Sequence, residues 1–115
     1  MIAAPIIVAY FAAWSIYSRS YNIADIPGDK ITHINYAFAN IGSDGVLILG
    51  DSWADVEKAF PGDTWDQPLR ANFNQLLKLK QKYTHIRTLI SVGGWVSLHF
   101  CLLFVFKVGC IDMVW

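Results

Sequence analysis

The sequence predicts an α/β domain built on a parallel sheet. Three observations carry that expectation. Strand-like and helix-like segments alternate along the chain, and such alternation implies right-handed crossovers between parallel strands. The run Thr88-Leu89-Ile90-Ser91-Val92 is β-branched and aliphatic, as suits a strand covered on both faces. It ends in Gly93-Gly94-Trp95, and the C-terminal end of a strand is where α/β folds bind ligands.

Each element follows from its residues. Residues 6–11 read Ile-Ile-Val-Ala-Tyr-Phe, a buried strand by β-propensity. Ala12-Ala13-Trp14 follows, then a polar and aromatic loop, 15–21. Asn22 opens a short helical turn, and Pro27-Gly28-Asp29 closes it. Residues 31–39 form a second strand, with Ile34, Tyr36 and Phe38 on one face and His33, Asn35 and Ala37 on the other. Ser43-Asp44-Gly45 supplies turn chemistry, and 46–49 is a short extended piece. Residues 50–68, rich in Asp, Gly, Pro and Trp, read as a long irregular loop of the functional or mobile kind. Residues 68–83 are the clearest helix. Pro68 fits its first turn, and Leu69, Phe73, Leu76, Leu77 and the stem of Lys80 make one stripe at helical spacing.

Composition narrows the function. The 115 residues carry nine basic and nine acidic side chains, and no basic patch of the kind a nucleic-acid binder shows. Five Trp, five Tyr and seven Phe suit a carbohydrate-stacking surface or a plain core. Cys101 and Cys110 form neither a metal pattern nor a disulfide framework. The start, Met1-Ile2-Ala3-Ala4-Pro5, has no basic region, so no signal peptide is expected and the compartment stays open.

Aromatic groups mark the three strand ends: Tyr10 with Phe11, Tyr36 with Phe38, and Trp95. In a parallel sheet these ends share one side, so the groups would line one cleft, and a flat indole there suits the apolar face of a sugar ring. The alternative is a plain core, and it is the stronger reading for Tyr36. His33 reads as a hydrogen-bonded structural residue rather than a ligand or base. Glycosidases need paired carboxylates. The acidic cluster of Asp51, Asp55 and Glu57, with Asp63 and Asp66 further on, sits in a loop and reads as solvated charge. No phosphate-binding G-x-G-x-x-G is present, and no metal or cofactor is expected.

Taken in order, several stretches resemble the N-terminal part of chitinases of glycoside hydrolase family 18, of the fungal and bacterial type. They are residues 7–14 (Ile-Val-Ala-Tyr-Phe-Ala-Ala-Trp), 21–27 (Tyr-Asn-Ile-Ala-Asp-Ile-Pro) and 31–39 (Ile-Thr-His-Ile-Asn-Tyr-Ala-Phe-Ala). Asp51-Ser52-Trp53-Ala54-Asp55, Pro61-Gly62-Asp63-Thr64-Trp65 and Ser91-Val92-Gly93-Gly94-Trp95 follow. The resemblance implies the first three β/α units of a (β/α)8 barrel, truncated before strand four. It implies retaining hydrolysis of β-1,4-linked N-acetylglucosamine polymers, with the substrate's acetamido group as nucleophile. It places Tyr10 and Phe38 at the floor of the sugar site and Gly94 and Trp95 on its wall. The family's acid motif, D-x-x-D-x-D-x-E, is absent, so no catalytic residue is assigned and this chain alone is expected to be inactive. Chitin or a chito-oligosaccharide is the implied partner, endo or exo action stays open, and members are often extracellular. A non-catalytic chitin-binding protein and a non-functional fragment are the alternatives.

The resemblance divides the chain into 5–95, part of the catalytic domain, and 96–115, an apolar tail outside the family pattern. Val96-Ser97 is what a common intron start would encode after an in-frame exon, so a retained intron or a frameshift, and with it a truncated gene product, is expected. The tail's clean apolar run, 98–106, falls well short of the roughly twenty residues of a membrane span. Open sheet edges in such a fragment are expected to drive self-association.

Overall fold

A computed structural model describes residues 4–93. Within them the expected parallel sheet forms. Strand β1 (Val8–Ala12) pairs in parallel with β2 (His33–Ile41), and β2 pairs in parallel with β4 (Arg87–Val92). A short strand, β3 (Leu47–Leu49), folds back antiparallel on the end of β2. Gly45, at φ +80°, supplies the left-handed residue of that hairpin turn, a conformation that costs glycine little. One helix, α1 (Ala71–Lys82), crosses from β3 to β4.

Alternation along the strands puts one face of the sheet against α1. Phe11, Ile34, Tyr36, Ile90 and Thr88 are buried there, with Ile23, Ala54, Leu76 and Leu79 packed over them. The register rows Tyr10–Asn35–Leu89 and Ala12–Ala37–Ser91 fall on the other face. That face is the more open one: Tyr10 is 67% exposed and Asn35, Leu89 and Ser91 are half-buried, with Ala37 buried between the strands. The run 88–92 is therefore half-buried rather than covered on both sides.

The helix differs from its sequence reading. It begins at Ala71, so Pro68 precedes the first turn. Its buried face holds Ala71, Asn72, Asn74, Leu76 and Leu79. The expected stripe gives Leu76 to that face, and Phe73 packs half-buried against the core with its ring 5.4 Å from that of Tyr36. The whole stripe, Leu69, Phe73, Leu76, Leu77 and Lys80, lines a groove of about 160 Å³ against Thr88, Leu89 and Ile90. Two asparagines join the buried face because each side-chain N–H finds a polar partner, which offsets part of the cost of burying an amide, although Asn72 Oδ1 is left without one.

The second strand also departs from simple alternation. The β2–β4 register runs Ala37↔Ser91 and then Ala39↔Val92, skipping Phe38. Ala39 joins Ile34 and Tyr36 in the core, while Phe38 leaves it. A bulge re-aims the side chain that it releases. The Ala37–Phe38 peptide is cis.

Candidate functional site

The C-terminal ends of β1, β2 and β4 lie together, as parallel pairing requires. The chain leaving β1 turns at once into a 3-10 turn, Ala13–Ile16. Ala13, Ser15 and Ile16 are buried in this turn, which leaves Trp14 facing outward at 53% exposure. The indole of Trp14 stacks on the Phe38 ring released by the bulge, with centroids 5.8 Å apart and planes at 29°. Gly50 closes behind this pair. A Cβ at that position would stand 2.1 Å from the Phe38 carbonyl oxygen, so only glycine lets the backbone after β3 approach the bulge. Gly93 takes φ +98° at the end of β4, and its N–H donates to the Ala39 carbonyl at 2.8 Å.

Of the four expected sugar-site residues, the structure describes two. Phe38 sits at the strand ends, in the stack with Trp14. Tyr10 lies on β1 opposite Asn35, on the open sheet face. Gly94 and Trp95 lie outside the described residues. The residue that sequence reasoning passed over is Trp14. Its signal was its place, directly after a strand and ahead of a polar aromatic loop.

The acidic residues of the long loop correct the sequence reading. Residues 53–57 form a wide helical turn rather than irregular chain. Asp55 in that turn is buried, as are Tyr36 and Asn72. The Tyr36 hydroxyl donates to Asp55 Oδ1, and Asn72 Nδ2 donates to the Tyr36 oxygen at 3.0 Å. Burial pushes the Asp55 carboxyl up, against the opposing pull of the Tyr36 hydrogen bond. Burial likewise pushes the Tyr36 phenol up, reinforced by its bond to Asp55. Asp51 accepts from the Tyr17 hydroxyl at 2.7 Å and from the Ala54 N–H at 3.1 Å. Asp63 is equally engaged: Phe60 N–H, Asn74 Nδ2 and Lys78 Nζ reach it at 2.9, 2.9 and 3.3 Å. Desolvation acts to raise its pKa, but these donors outweigh it and hold the carboxyl below its usual range. Only Glu57 and Asp66 remain exposed, as loop charges do. The carboxylates failed to look structural because their partners, Tyr36, Tyr17 and Asn74, are distant in sequence.

His33 behaves as expected. Its Nδ1 sits 2.8 Å from Thr32 Oγ1. Among the described residues no group of three or more His, Cys, Asp or Glu could hold a metal. No helix there is long and apolar enough to cross a membrane.

Comparison with known proteins agrees with this geometry. The glycosyl hydrolases family 18 pattern matches residues 6–103. Chitinase A1 of Niallia circulans is 43% identical over 119 residues, covering 77% of this chain and 17% of that protein. Chitinase C of Streptomyces lividans is 49% identical over 100 residues, covering 76% of this chain and 16% of its own length. In three dimensions, chitinase ChiA74 from Bacillus thuringiensis superposes with a TM-score of 0.74 at 36% identity, over 81% of this chain and 21% of that one. The chain thus spans about a sixth of these two curated relatives, and it belongs to glycosyl hydrolases family 18.

Proposed function

We propose that residues 5–95 are the first three β/α units of a (β/α)8 chitinase barrel, and that the strand ends form part of its chitin-binding cleft. The observation that carries this reading is the Trp14–Phe38 stack. It is a flat, half-exposed aromatic platform at the side of a parallel sheet where such folds bind ligands. Tyr10 would belong to the barrel interior, on the face left open here. Gly94 and Trp95 would extend the platform from the end of β4, with residues 96–115 as a tail outside the domain, although the family match runs on to residue 103. The substrate class is β-1,4-linked N-acetylglucosamine polymer.

The chemistry does not lie within these residues. Cleavage in this family uses a carboxylic acid beside the glycosidic oxygen, on the D-x-x-D-x-D-x-E motif, and residues 1–115 contain no such motif. The carboxylates present are committed elsewhere. Asp55 and Asp63 face the helix side of the sheet through Tyr36 and Asn74. The 115 residues alone should therefore leave a fluorogenic chitobioside intact. Residues 1–95 joined to a family continuation that carries the motif should hydrolyse it. Hydrolysis by the 115-residue chain alone would overturn the reading.

Strands β1 and β4 each pair only with β2 among the described residues. Their free edges, beside the more open face, are a template for association. We therefore expect residues 1–115 to self-associate at tens of micromolar, as light scattering would read; a clean monomer would count against it.

A further inference from the structure

One hydrogen bond in the molecule has a role that the sugar platform does not account for. Tyr17 ends the turn that carries Trp14, and its N–H donates to the Trp14 carbonyl at 3.2 Å. Its hydroxyl reaches across 34 positions of sequence to Asp51 Oδ2 at 2.7 Å. Asp51 is fixed from the other side. Its Oδ1 accepts from Ala54 N–H at 3.1 Å, its carbonyl accepts from Asp55 N–H at 2.8 Å, and its own N–H donates to Asp55 Oδ2 at 3.3 Å. Asp55 is in turn locked to Tyr36 and, through that phenol, to Asn72, all of them buried. The turn Ala13–Ile16 and the turn Trp53–Glu57 touch. Asp51 is thus the link by which the buried network grips the Tyr17 end of the loop after β1, while Asn72 Nδ2 donates to the Ala13 carbonyl at 3.5 Å at its start.

Ser15 also closes that loop, its Oγ donating to the Tyr21 carbonyl at 2.9 Å and its carbonyl accepting from the Tyr21 N–H at 3.0 Å, but neither bond holds the exposed side chains between them. Trp14 and Tyr17 are both exposed, and Ser18, Arg19 and Ser20 after them are exposed as well. Ring stacking on Phe38 is a contact of only about 0.5–1.5 kcal/mol beyond its buried area. A tether three residues from the indole narrows the poses that the ring can take, and an aromatic platform binds a sugar only in the pose that lies flat against it.

We propose that Asp51 is a positioning residue: through Tyr17 it holds Trp14 flat on Phe38 and so sets the platform that a sugar ring meets. This rests on the chitin-cleft reading above. The bond to Asp51 also pushes the Tyr17 phenol up to about 12, with burial and the nearby Asp55 charge adding to it. That shift gives the link a spectroscopic signature of its own.

The test uses the 115-residue chain and the variants Asp51→Asn, Tyr17→Phe and their double. Alkaline absorbance titration should show a tyrosine transition at about 12, distinct from that of the buried and also raised Tyr36, that Tyr17→Phe removes and Asp51→Asn lowers toward 10, the phenol's ordinary value. The near-ultraviolet circular dichroism due to Trp14, defined by its loss in Trp14→Phe, should fall at least twofold in both single variants, with the far-ultraviolet spectrum unchanged. Retention on chitin beads should fall several-fold in each, and the double variant should lose no more than either. Should Asp51→Asn unfold, Tyr17→Phe, which removes one exposed oxygen, carries the test. An unchanged Trp14 signal in both single variants overturns the proposal, whatever the beads show. If instead the signal falls but Trp14→Phe leaves retention unchanged, the positioning stands and the chitin-cleft reading fails.

Discussion

Tyr36, in the middle of β2, donates its hydroxyl to Asp55, nineteen residues later in the turn after β3. Both groups are buried on the helix side of the sheet. Removing the hydroxyl with Tyr36→Phe leaves Asp55 and Asn72 without a shared partner, and an unsatisfied buried polar group costs about 1–3 kcal/mol. Urea denaturation should show a loss of that size. The pH dependence has a definite sign. The folded state raises the Asp55 pKa above its ordinary 3.8, so folding favours the protonated acid. Its contribution is full below the unfolded value and is lost as pH rises through the folded one. Compared with Asp55→Asn, the wild-type chain should lose stability as pH climbs from 3.8 through the raised value; parallel curves would exclude this burial.

Asp63 should behave in the opposite way. Its donors hold its pKa below 3.8, so its contribution is present above the unfolded value and is lost as pH falls through the folded one. Asp63→Ala leaves the buried Asn74 amide only its long 3.5 Å contact with Gln67 Oε1 and should cost about 1–2 kcal/mol near neutral pH. Lys78→Met removes only a half-exposed partner and should cost less than about 1 kcal/mol. Thermal melts of the two variants at neutral pH and near pH 3 would check both the order and the sign.

The parallel strands, the hairpin turn at Gly45 and the helix were legible because each rests on local pattern: β-branched runs, turn residues and helical spacing. The helix face was misread because Asn72 and Asn74 look like surface residues until their partners, Tyr36 and Asp63, are known. Phe38 was placed at the site, although strict alternation would have buried it beside Tyr36. The bulge that frees it depends on pairing with β4, some fifty positions away, and leaves no mark in the local pattern. Trp14 was visible as a residue but not as a platform, since its meaning comes from Phe38. Tertiary partners, rather than propensities, decided every element that the sequence misassigned.

Gly50→Ala should act on the platform through the backbone. The new methyl would meet the Phe38 carbonyl oxygen at 2.1 Å, too close for any rotamer to relieve, because a Cβ has none. Overpacking of this kind costs typically about 1–3 kcal/mol. Either β3 moves off the end of β2 or the bulge shifts and takes Phe38 with it. Both a lower melting temperature and a weakened Trp14 near-ultraviolet signal are expected. A variant that melts like the wild type with that signal intact would show that Gly50 is not needed at the bulge.

On the chitin-cleft reading, binding of sugar by this chain should be weak. Trp14, Phe38 and Trp95 could each offer a sugar ring a stacking face, worth on the order of 1 kcal/mol by analogy with aromatic pairs. Against this stands the loss of translational and rotational freedom on binding, about 4–15 kcal/mol. A millimolar complex already requires about 4.1 kcal/mol of net free energy. Three stacking contacts without the rest of a cleft fall short of holding a soluble oligomer tighter than roughly millimolar. Solid chitin differs, because many chains presented together raise the local concentration of rings. The 115-residue chain should therefore show no saturable binding of a soluble chito-oligosaccharide below about 1 mM by calorimetry, yet modest retention on chitin beads. Trp14→Ala should abolish most of that retention. Tyr10→Ala, on the open sheet face and away from the stack, should reduce it less. Micromolar binding of a soluble oligomer, or retention that survives both Trp14→Ala and Trp95→Ala, would place the sugar contact somewhere other than these strand ends.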